Sequence, residues 1–530
     1  MQHLRSTFGL AALGSLLFWL ALPPVNFGPL AWLAPAPWVL LIEQKELAGK
    51  RPYSSIWLAY FLFWLAAVHW LTLPHWATSF GWIALSSYLA LYLPGFIWLA
   101  RICSHRLRMP PVLAAPVVWV GLELAQSYLL TGFMMVVLGQ TQYRWIPLIQ
   151  IADLTGTYGL SLAIILVAAC LARMIPWQDR SAAFWPIVPA AATIAILLGY
   201  GWYRTSGEYT TPGPTVALIQ GDIDTELKAD PSKNQDIFEE YARLTDRAMA
   251  ESRDLDLIVW PETMFRSSWF TYANDYRTET AEGYTPEELR MRSEEVIELV
   301  AARRGVPMLI GIDHWHYTNE GTDRYNSALF VDGKGIILGS YAKSHLVMFG
   351  EYVPFARRYP LLYKLTPLAA GSEPGKEAAA IDVNGVCYSP SICFETTLAR
   401  VIRRLVNEAR ASKTCCDPQV LVNITNDGWF WGSAELDMHL ICGVFRAVEC
   451  RKPLLVAANT GFSAWIDSDG RIVRQGKRRA EDVIIARPRL ETRSSFYLQY
   501  GDLFAWPCLA CCIAAGAWSI RRPQGRKPPS

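Results

Sequence analysis

Two rhythms of apolar and polar positions divide this chain. Long apolar segments recur at 8–22, 29–43, 54–72, 79–100, 111–138, 158–172 and 183–202, and an eighth covers 502–520. Most approach the ~20 residues a helix needs to cross ~30 Å of hydrocarbon. From Thr215 the rhythm shortens. Runs rich in Val, Ile and Leu at 216–220, 257–260, 308–312, 328–331, 336–340, 420–424 and 454–458 are bounded by turn residues, the pattern of buried strands. Helical patterns alternate with them at 233–251, 286–304, 396–411 and 434–450. The second opens on Thr285-Pro-Glu-Glu, a helix-start signal, and Asp467-Ser-Asp-Gly470 predicts a hairpin turn. Strands alternating with helices predict sheets covered by helices, an α/β domain. The expected organisation is about seven transmembrane helices over 1–203, an α/β domain over 204–500, and a last transmembrane helix with a basic tail over 501–530.

Composition agrees with a membrane protein. Of 530 residues, 52% are hydrophobic and 18% charged, mean hydropathy is +0.17, and most charge falls within 204–500. Basic residues follow alternate apolar segments: Lys45, Lys50 and Arg51; Arg101, Arg106 and Arg108; Arg173 and Arg180; Arg521, Arg522, Arg526 and Lys527. The intervening loops hold almost none. The positive-inside rule then places both termini in the cytoplasm and 204–500 on the outer side. The net charge of +2 and the lack of a basic stripe with interleaved aromatics give no sign of nucleic-acid binding. Glu123 lies inside the fifth segment, where a carboxylate serves either function or helix packing. Of the 11 cysteines, Cys387, Cys415, Cys416, Cys442 and Cys450 lie in the polar domain, where export permits pairing. Cys508, Cys511 and Cys512 read as packing residues.

Three stretches put reactive side chains at or near the ends of apolar runs. Leu257-Ile-Val-Trp-Pro-Glu262 delivers Glu262. Tyr341-Ala-Lys-Ser-His-Leu-Val-Met-Phe-Gly-Glu351 delivers Lys343 and Glu351. Ser389-Pro-Ser-Ile-Cys-Phe-Glu395 delivers Cys393, with Phe394 and Glu395 after it. A lone cysteine in an apolar run is ordinarily a packing residue. A base, a cation and a thiol together are the parts of covalent acyl transfer. Glu262 would take the thiol proton, Lys343 would favour the thiolate and stabilise the oxyanion, and Cys393 would attack. Glu351 would orient Lys343 or help move a proton. Glu395 would hold the active loop or form a surface ion pair.

The order Glu262, Lys343, Cys393 resembles the triad of the nitrilase superfamily. His345, Gly350 and Glu351-Tyr-Val-Pro354 are similar to its membrane-bound branch, the bacterial apolipoprotein N-acyltransferases. So are Leu22-Pro-Pro24, Val117-Val-Trp-Val-Gly-Leu-Glu123, Leu138-Gly-Gln-Thr-Gln142, Gly156-Thr-Tyr-Gly-Leu-Ser161, Asn423-Ile-Thr-Asn-Asp-Gly-Trp-Phe430, His439, Arg446 and Glu449. The resemblance covers nearly the whole chain. It departs at Ala229, Leu124 to Gln126, Met348 and Phe394. It implies a four-layer αββα sandwich and a thioester at Cys393. It also implies a phospholipid acyl donor, and as acceptor the α-amino group of the diacylglyceryl-cysteine of an apolipoprotein. The expected setting is the bacterial inner membrane, with the catalytic domain periplasmic, no cofactor or metal, and a monomer. Asn426 and Asp427 are expected to build or position the site. An apolar mobile loop near 265–270 or 346–355 is expected to admit acyl chains. The alternatives are a membrane-tethered amidase that hydrolyses its thioester, and a transporter or receptor whose outer domain only binds.

Overall fold

The computed structural model describes residues 6–177, 181–277, 283–356, 358–359, 361 and 371–521, without the side chain of Ala229. Arg180, Arg522, Arg526 and Lys527, and the departure at Ala229, therefore lie outside the described side chains. The chain forms two compact units. One comprises Met1–Thr72, Thr78–Gly207 and Ser495–Ser530; the other comprises Leu73–Ala77 and Glu208–Ser494.

The first unit is helical. Among the described residues, four of its helices are long and apolar enough to cross a membrane: Thr78–Arg106, Pro111–Thr131, Thr157–Met174 and Phe496–Arg521. Eight spans were expected, and the difference has local causes. The segment 29–43 is broken into a 3₁₀ turn, Gly28–Trp32, and a short helix, Ala36–Glu43, with Pro35 before the helix and Pro37 in its first turn. Thr7–Ala21 and Pro52–Ala67 are apolar but shorter. The helix Pro111–Tyr128 stops well before 138, where Leu130 and Gly132 take positive φ. Ile187–Thr205 adds a helix of 19 residues. Gly121 shows how tightly these helices pack, since a Cβ there would meet Cys512 Sγ at 2.6 Å and the Cys508 carbonyl at 2.7 Å. Cys508 and Cys512 are buried, in keeping with packing roles, whereas Cys511, expected to pack as well, is exposed. Glu123 accepts from Trp119 Nε1 at 2.9 Å and from Ser161 Oγ at 3.0 Å, which ties Pro111–Tyr128 to Thr157–Met174.

The second unit is α/β. A seven-stranded sheet has the order Asp482–Ala486, Val216–Gln220, Leu257–Val259, Met308–Thr318, Gly321–Val331, Ile337–Ala342, with Phe265–Tyr272 also paired to Met308–Thr318. A six-stranded sheet has the order Ile472–Gln475, Ala464–Ile466, Leu454–Ala458, Val420–Thr425, Val386–Ile392, Ile381–Val383. Each sheet has three adjacent parallel strands at its centre. Val216–Gln220, Leu257–Val259, Val420–Thr425 and Leu454–Ala458 are buried throughout, which explains their near-continuous apolar sequence. The sheets face each other. Asn234–Glu251 and Pro286–Ala302 cover the first, while Ala399–Ala411 and Glu435–Cys450 cover the second. These are the four αββα layers. Thr285 and Glu288 form a capping box at the start of Pro286–Ala302.

Two local features differ from expectation or sharpen it. The stretch from 265 to 270 is not a loop; it lies in the strand Phe265–Tyr272. Cys387 is disulfide-bonded to Cys416, which ties the strand ending at Ile392 to the loop before Val420–Thr425.

Candidate active site

The α/β unit concentrates its unusual chemistry where strands end. Leu257–Val259 runs beside the first part of Met308–Thr318, and Phe265–Tyr272 runs beside the rest. The turn between those two strands carries Glu262. It lies so close to Gly311 that a Cβ there would meet the Pro261 carbonyl at 2.3 Å and Glu262 Cα at 2.7 Å. Glycine at 311 therefore sets how near Glu262 sits to the sheet. Thr263, next in the turn, has φ of 53°.

Ile337–Ala342 runs antiparallel to Gly321–Val331, which runs antiparallel to Met308–Thr318. Its C-terminal end therefore emerges at the same edge as Glu262, and the next residue is Lys343. Val386–Ile392 delivers Cys393 from the other sheet. Cys393 has φ of 51°, a left-handed conformation that costs a side-chain-bearing residue energy unless its surroundings hold it.

These ends converge. Lys343 Nζ lies 2.8 Å from Glu351 Oε1 and 3.6 Å from Glu262 Oε1. Glu262 also accepts from Asn326 Nδ2 at 2.6 Å and from the Asn426 backbone N–H at 2.9 Å. Glu351 accepts from the Val347 backbone N–H at 2.8 Å. Burial works against the Lys343 ammonium. The charges of Glu351 and Glu262, with that of Cys393 whenever it ionises, outweigh it and hold the ammonium well above its usual value.

Cys393 departs from expectation. Burial raises its thiol well above the usual range, Glu262, Asp427 and Glu351 add to the rise, and Lys343 pulls the other way without prevailing. The shift favours the thiol over the thiolate, and Glu262 is the carboxylate whose charge acts on it most.

Glu395 is fully buried and is no surface ion pair. One oxygen accepts from Tyr341 OH at 2.7 Å, the Ser344 N–H at 2.9 Å, Ser344 Oγ at 2.9 Å and the His345 N–H at 3.0 Å. The other accepts from the Ile392 N–H at 2.8 Å. A single carboxylate thus fastens the segment around Lys343 to the residue before Cys393. Phe394 stacks on His345 at 6.1 Å between ring centroids. Burial and the nearby Arg400 and Arg404 push His345 down to about 4, so its ring is neutral.

Asn326 is the site residue that sequence reasoning missed. Its carbonyl accepts from the Lys343 N–H at 2.8 Å while its amide holds Glu262. Its signal, a polar residue just ahead of the apolar run 328–331, is too common to single it out. Among the described residues, one group of acidic and imidazole side chains brings its ligand atoms within 4.8 Å of one another: Asp427, Glu435 and His439, all buried. His439 Nδ1 lies 3.1 Å from Asp427 Oδ1, and its Nε2 lies 2.8 Å from Thr396 Oγ1 and 3.2 Å from the Cys393 carbonyl. A proton on each nitrogen completes that arrangement.

Comparison with known proteins agrees with both units. Residues 14–170 match the apolipoprotein N-acyltransferase N-terminal domain, and residues 215–496 match the carbon-nitrogen hydrolase family. The apolipoprotein N-acyltransferase of Geobacter metallireducens is 35% identical over 533 residues, covering 98% of this chain and 96% of that protein. That of Rhodopirellula baltica is 32% identical, covering 95% of each. Among solved structures, Saccharomyces cerevisiae Nit3, a nitrilase-superfamily member, aligns with a TM-score of 0.37 at 14% identity, over 61% of this chain and 98% of its own. With a helical N-terminal unit and a carbon–nitrogen hydrolase unit in one chain, and with relatives of this kind along nearly its full length, the protein belongs to the apolipoprotein N-acyltransferase family.

Proposed function

We propose that this N-acyltransferase works in two half-reactions through Cys393. A diacyl phospholipid presents its ester carbonyl to the thiol. Glu262 removes the thiol proton as sulfur attacks, then returns it to the leaving glycerol oxygen, so lysophospholipid departs and a thioester remains. Lys343 faces the developing oxyanion, with the backbone N–H of Phe394 as a second donor. Glu351 holds Lys343 in place. In the second half-reaction the α-amino group of a diacylglyceryl-cysteine attacks the thioester. Glu262 accepts the amine proton, the amide forms, and the Cys393 thiol is regenerated. No cofactor enters either step. All the named groups come from one chain, so a monomer suffices.

The observation that carries this reading is one ammonium placed between two carboxylates, Glu351 at 2.8 Å and Glu262 at 3.6 Å, with all three charges acting on a strained cysteine. The proposed setting is the inner membrane, with residues 204–500 on the periplasmic face. The alternation of basic loops supports that orientation. So does the Cys387–Cys416 disulfide, since such bonds persist in oxidising compartments. Exposed Phe349 and Phe355, which flank Glu351, are placed to meet acyl chains entering from lipid.

The test is intact-mass spectrometry after incubation with phospholipid. Wild type should gain one acyl mass and Cys393→Ala none. A diacylglyceryl peptide should then discharge the adduct and appear acylated on nitrogen. Discharge by water alone would move the assignment to a hydrolase.

A further inference from the structure

The nucleophile is strained, and its own carbonyl shows what holds it. Three donors converge on the Cys393 oxygen: Thr396 Oγ1 at 3.1 Å, His439 Nε2 at 3.2 Å and Asn423 Nδ2 at 3.3 Å. Asn423 comes from the neighbouring strand, and Thr396 from the turn that Cys393 opens. His439 comes from the helix Glu435–Cys450 behind the second sheet, so it joins the site to the outer layer.

The partners of His439 suit a proton on each ring nitrogen. Thr396 Oγ1, 2.8 Å from Nε2, gives its own proton to the Cys393 carbonyl and is left to accept, and that carbonyl, 3.2 Å from Nε2, accepts only, so a proton on Nε2 satisfies both. An ionised carboxylate also accepts only, so Nδ1 facing Asp427 carries the other. Asp427 is in turn held by Thr425 Oγ1 at 2.8 Å. We infer that His439 is a positioning residue for the acyl-transfer reaction: as a buried imidazolium with Asp427 as counter-ion, it clamps the Cys393 carbonyl and keeps the thiol in its left-handed, attacking conformation. This rests on Cys393 being the nucleophile.

The surroundings favour the charged ring. Asp427 faces it from the turn Asp427–Phe430, and Glu262 acts on it across the site. Glu435, one turn earlier on its own helix, is pushed toward its neutral form by burial and by Asp427, so it is not the counter-charge. Glu395, in the turn Cys393–Thr397, is engaged with Tyr341, Ser344, His345 and Ile392. The strands Leu454–Ala458 and Ala464–Ile466 bring no charged residue, and Ala399–Ala411 buries Val401, Ile402, Leu405, Val406 and Ala409. Burial alone would discharge the ring, but Asp427 prevails and His439 sits above the usual histidine value. The sign follows: the clamp is complete below the ordinary value of ~6.5 and is lost as pH rises through the raised one.

The test uses the full chain in detergent, with two readouts. One is single-turnover acylation of Cys393 by phospholipid across pH. The other is alkylation of Cys393 by iodoacetamide, which needs no lipid. In wild type, acylation should fall at high pH as His439 deprotonates. Asp427→Asn should move that falling limb to lower pH, because the counter-charge is gone. His439→Gln, which keeps a donor but no charge, should remove the limb and slow acylation about 100-fold, as a misplaced nucleophile does. ¹⁵N spectra should show both ring nitrogens of one histidine protonated at neutral pH, with the signal lost in His439→Gln. Thermal unfolding of each variant separates misfolding from misplacement, and if His439→Gln does not fold, Asp427→Asn and the ring spectrum decide. A wild-type pH profile in folded His439→Gln overturns the inference. So does stoichiometric zinc or cobalt bound by wild type and lost in Glu435→Gln, since Nδ1 would then hold a metal and not a proton. If lipid acylation fails in wild type while alkylation still tracks these variants, the donor assignment fails and the clamp stands.

Discussion

Both units bury carboxylates, but they hold them differently. In the helical unit each buried acid is bound by groups from its own or an adjacent helical segment. Glu123 has Trp119 and Ser161; Asp153 has Tyr200 at 2.6 Å and Arg204 at 2.7 Å; Asp502 has Tyr128 and Tyr497, each at 2.8 Å. These are clamps between helices. In the α/β unit the acids share partners. Glu262 and Glu351 flank one lysine, and their charges bear on one thiol. Glu395 gathers donors from two strand ends. A buried acid with neighbouring donors stabilises packing. Several acids around one ammonium and one thiol leave protons to move.

That contrast can be broken experimentally, and the sharpest test is at Glu262. Glu262→Gln should slow acyl transfer by about 1,000-fold, the loss expected for a general base. The same change removes a carboxylate that raises the Cys393 thiol, so iodoacetamide should alkylate Cys393 faster at pH 8. Slower alkylation together with slower transfer would make Glu262 a structural acid like those of the helical unit.

Glu395→Ala comes next. Leaving its donors unpaired in a buried site should cost about 3–5 kcal/mol in stability, seen as a lower unfolding temperature, and should abolish transfer. A stable variant with normal turnover would show that the two strand ends need no shared carboxylate. Replacing Cys387 and Cys416 by serine should cost about 2–4 kcal/mol, and reducing agent should reproduce the loss in wild type but not in the double variant. The smallest effect is expected at Glu123. Glu123→Gln keeps the shape, so it should cost about 1 kcal/mol and leave acyl transfer near wild type. A folded but inactive Glu123→Gln would move that acid from packing to chemistry.

The strands at 216–220 and 454–458 were legible residue for residue, because burial on both sides leaves an unbroken apolar run. The strand Phe265–Tyr272 was not. Its Arg266, Ser267 and Ser268 break the apolar pattern, and it exists by pairing with Met308–Thr318. The membrane helices were legible as apolar stretches but not in number. Apolarity does not report where a proline or a positive-φ turn ends a helix, as it does in 29–43 and after Tyr128.

The sequence by itself determined the two-part organisation, the alternation of strand and helix, and the choice of Glu262, Lys343 and Cys393 as candidates. Each is a local pattern, an apolar run or a reactive residue at the end of one. Only the tertiary structure decided that burial and nearby carboxylates favour the thiol of Cys393, that Glu395 is a buried fastener, that Asn326 reaches Glu262, and that His439 reaches the Cys393 carbonyl. Those properties depend on desolvation and on partners as many as 164 residues apart, as for Glu262 and Asn426. No local pattern encodes such a distance, because the sheets, not the chain order, bring the groups together.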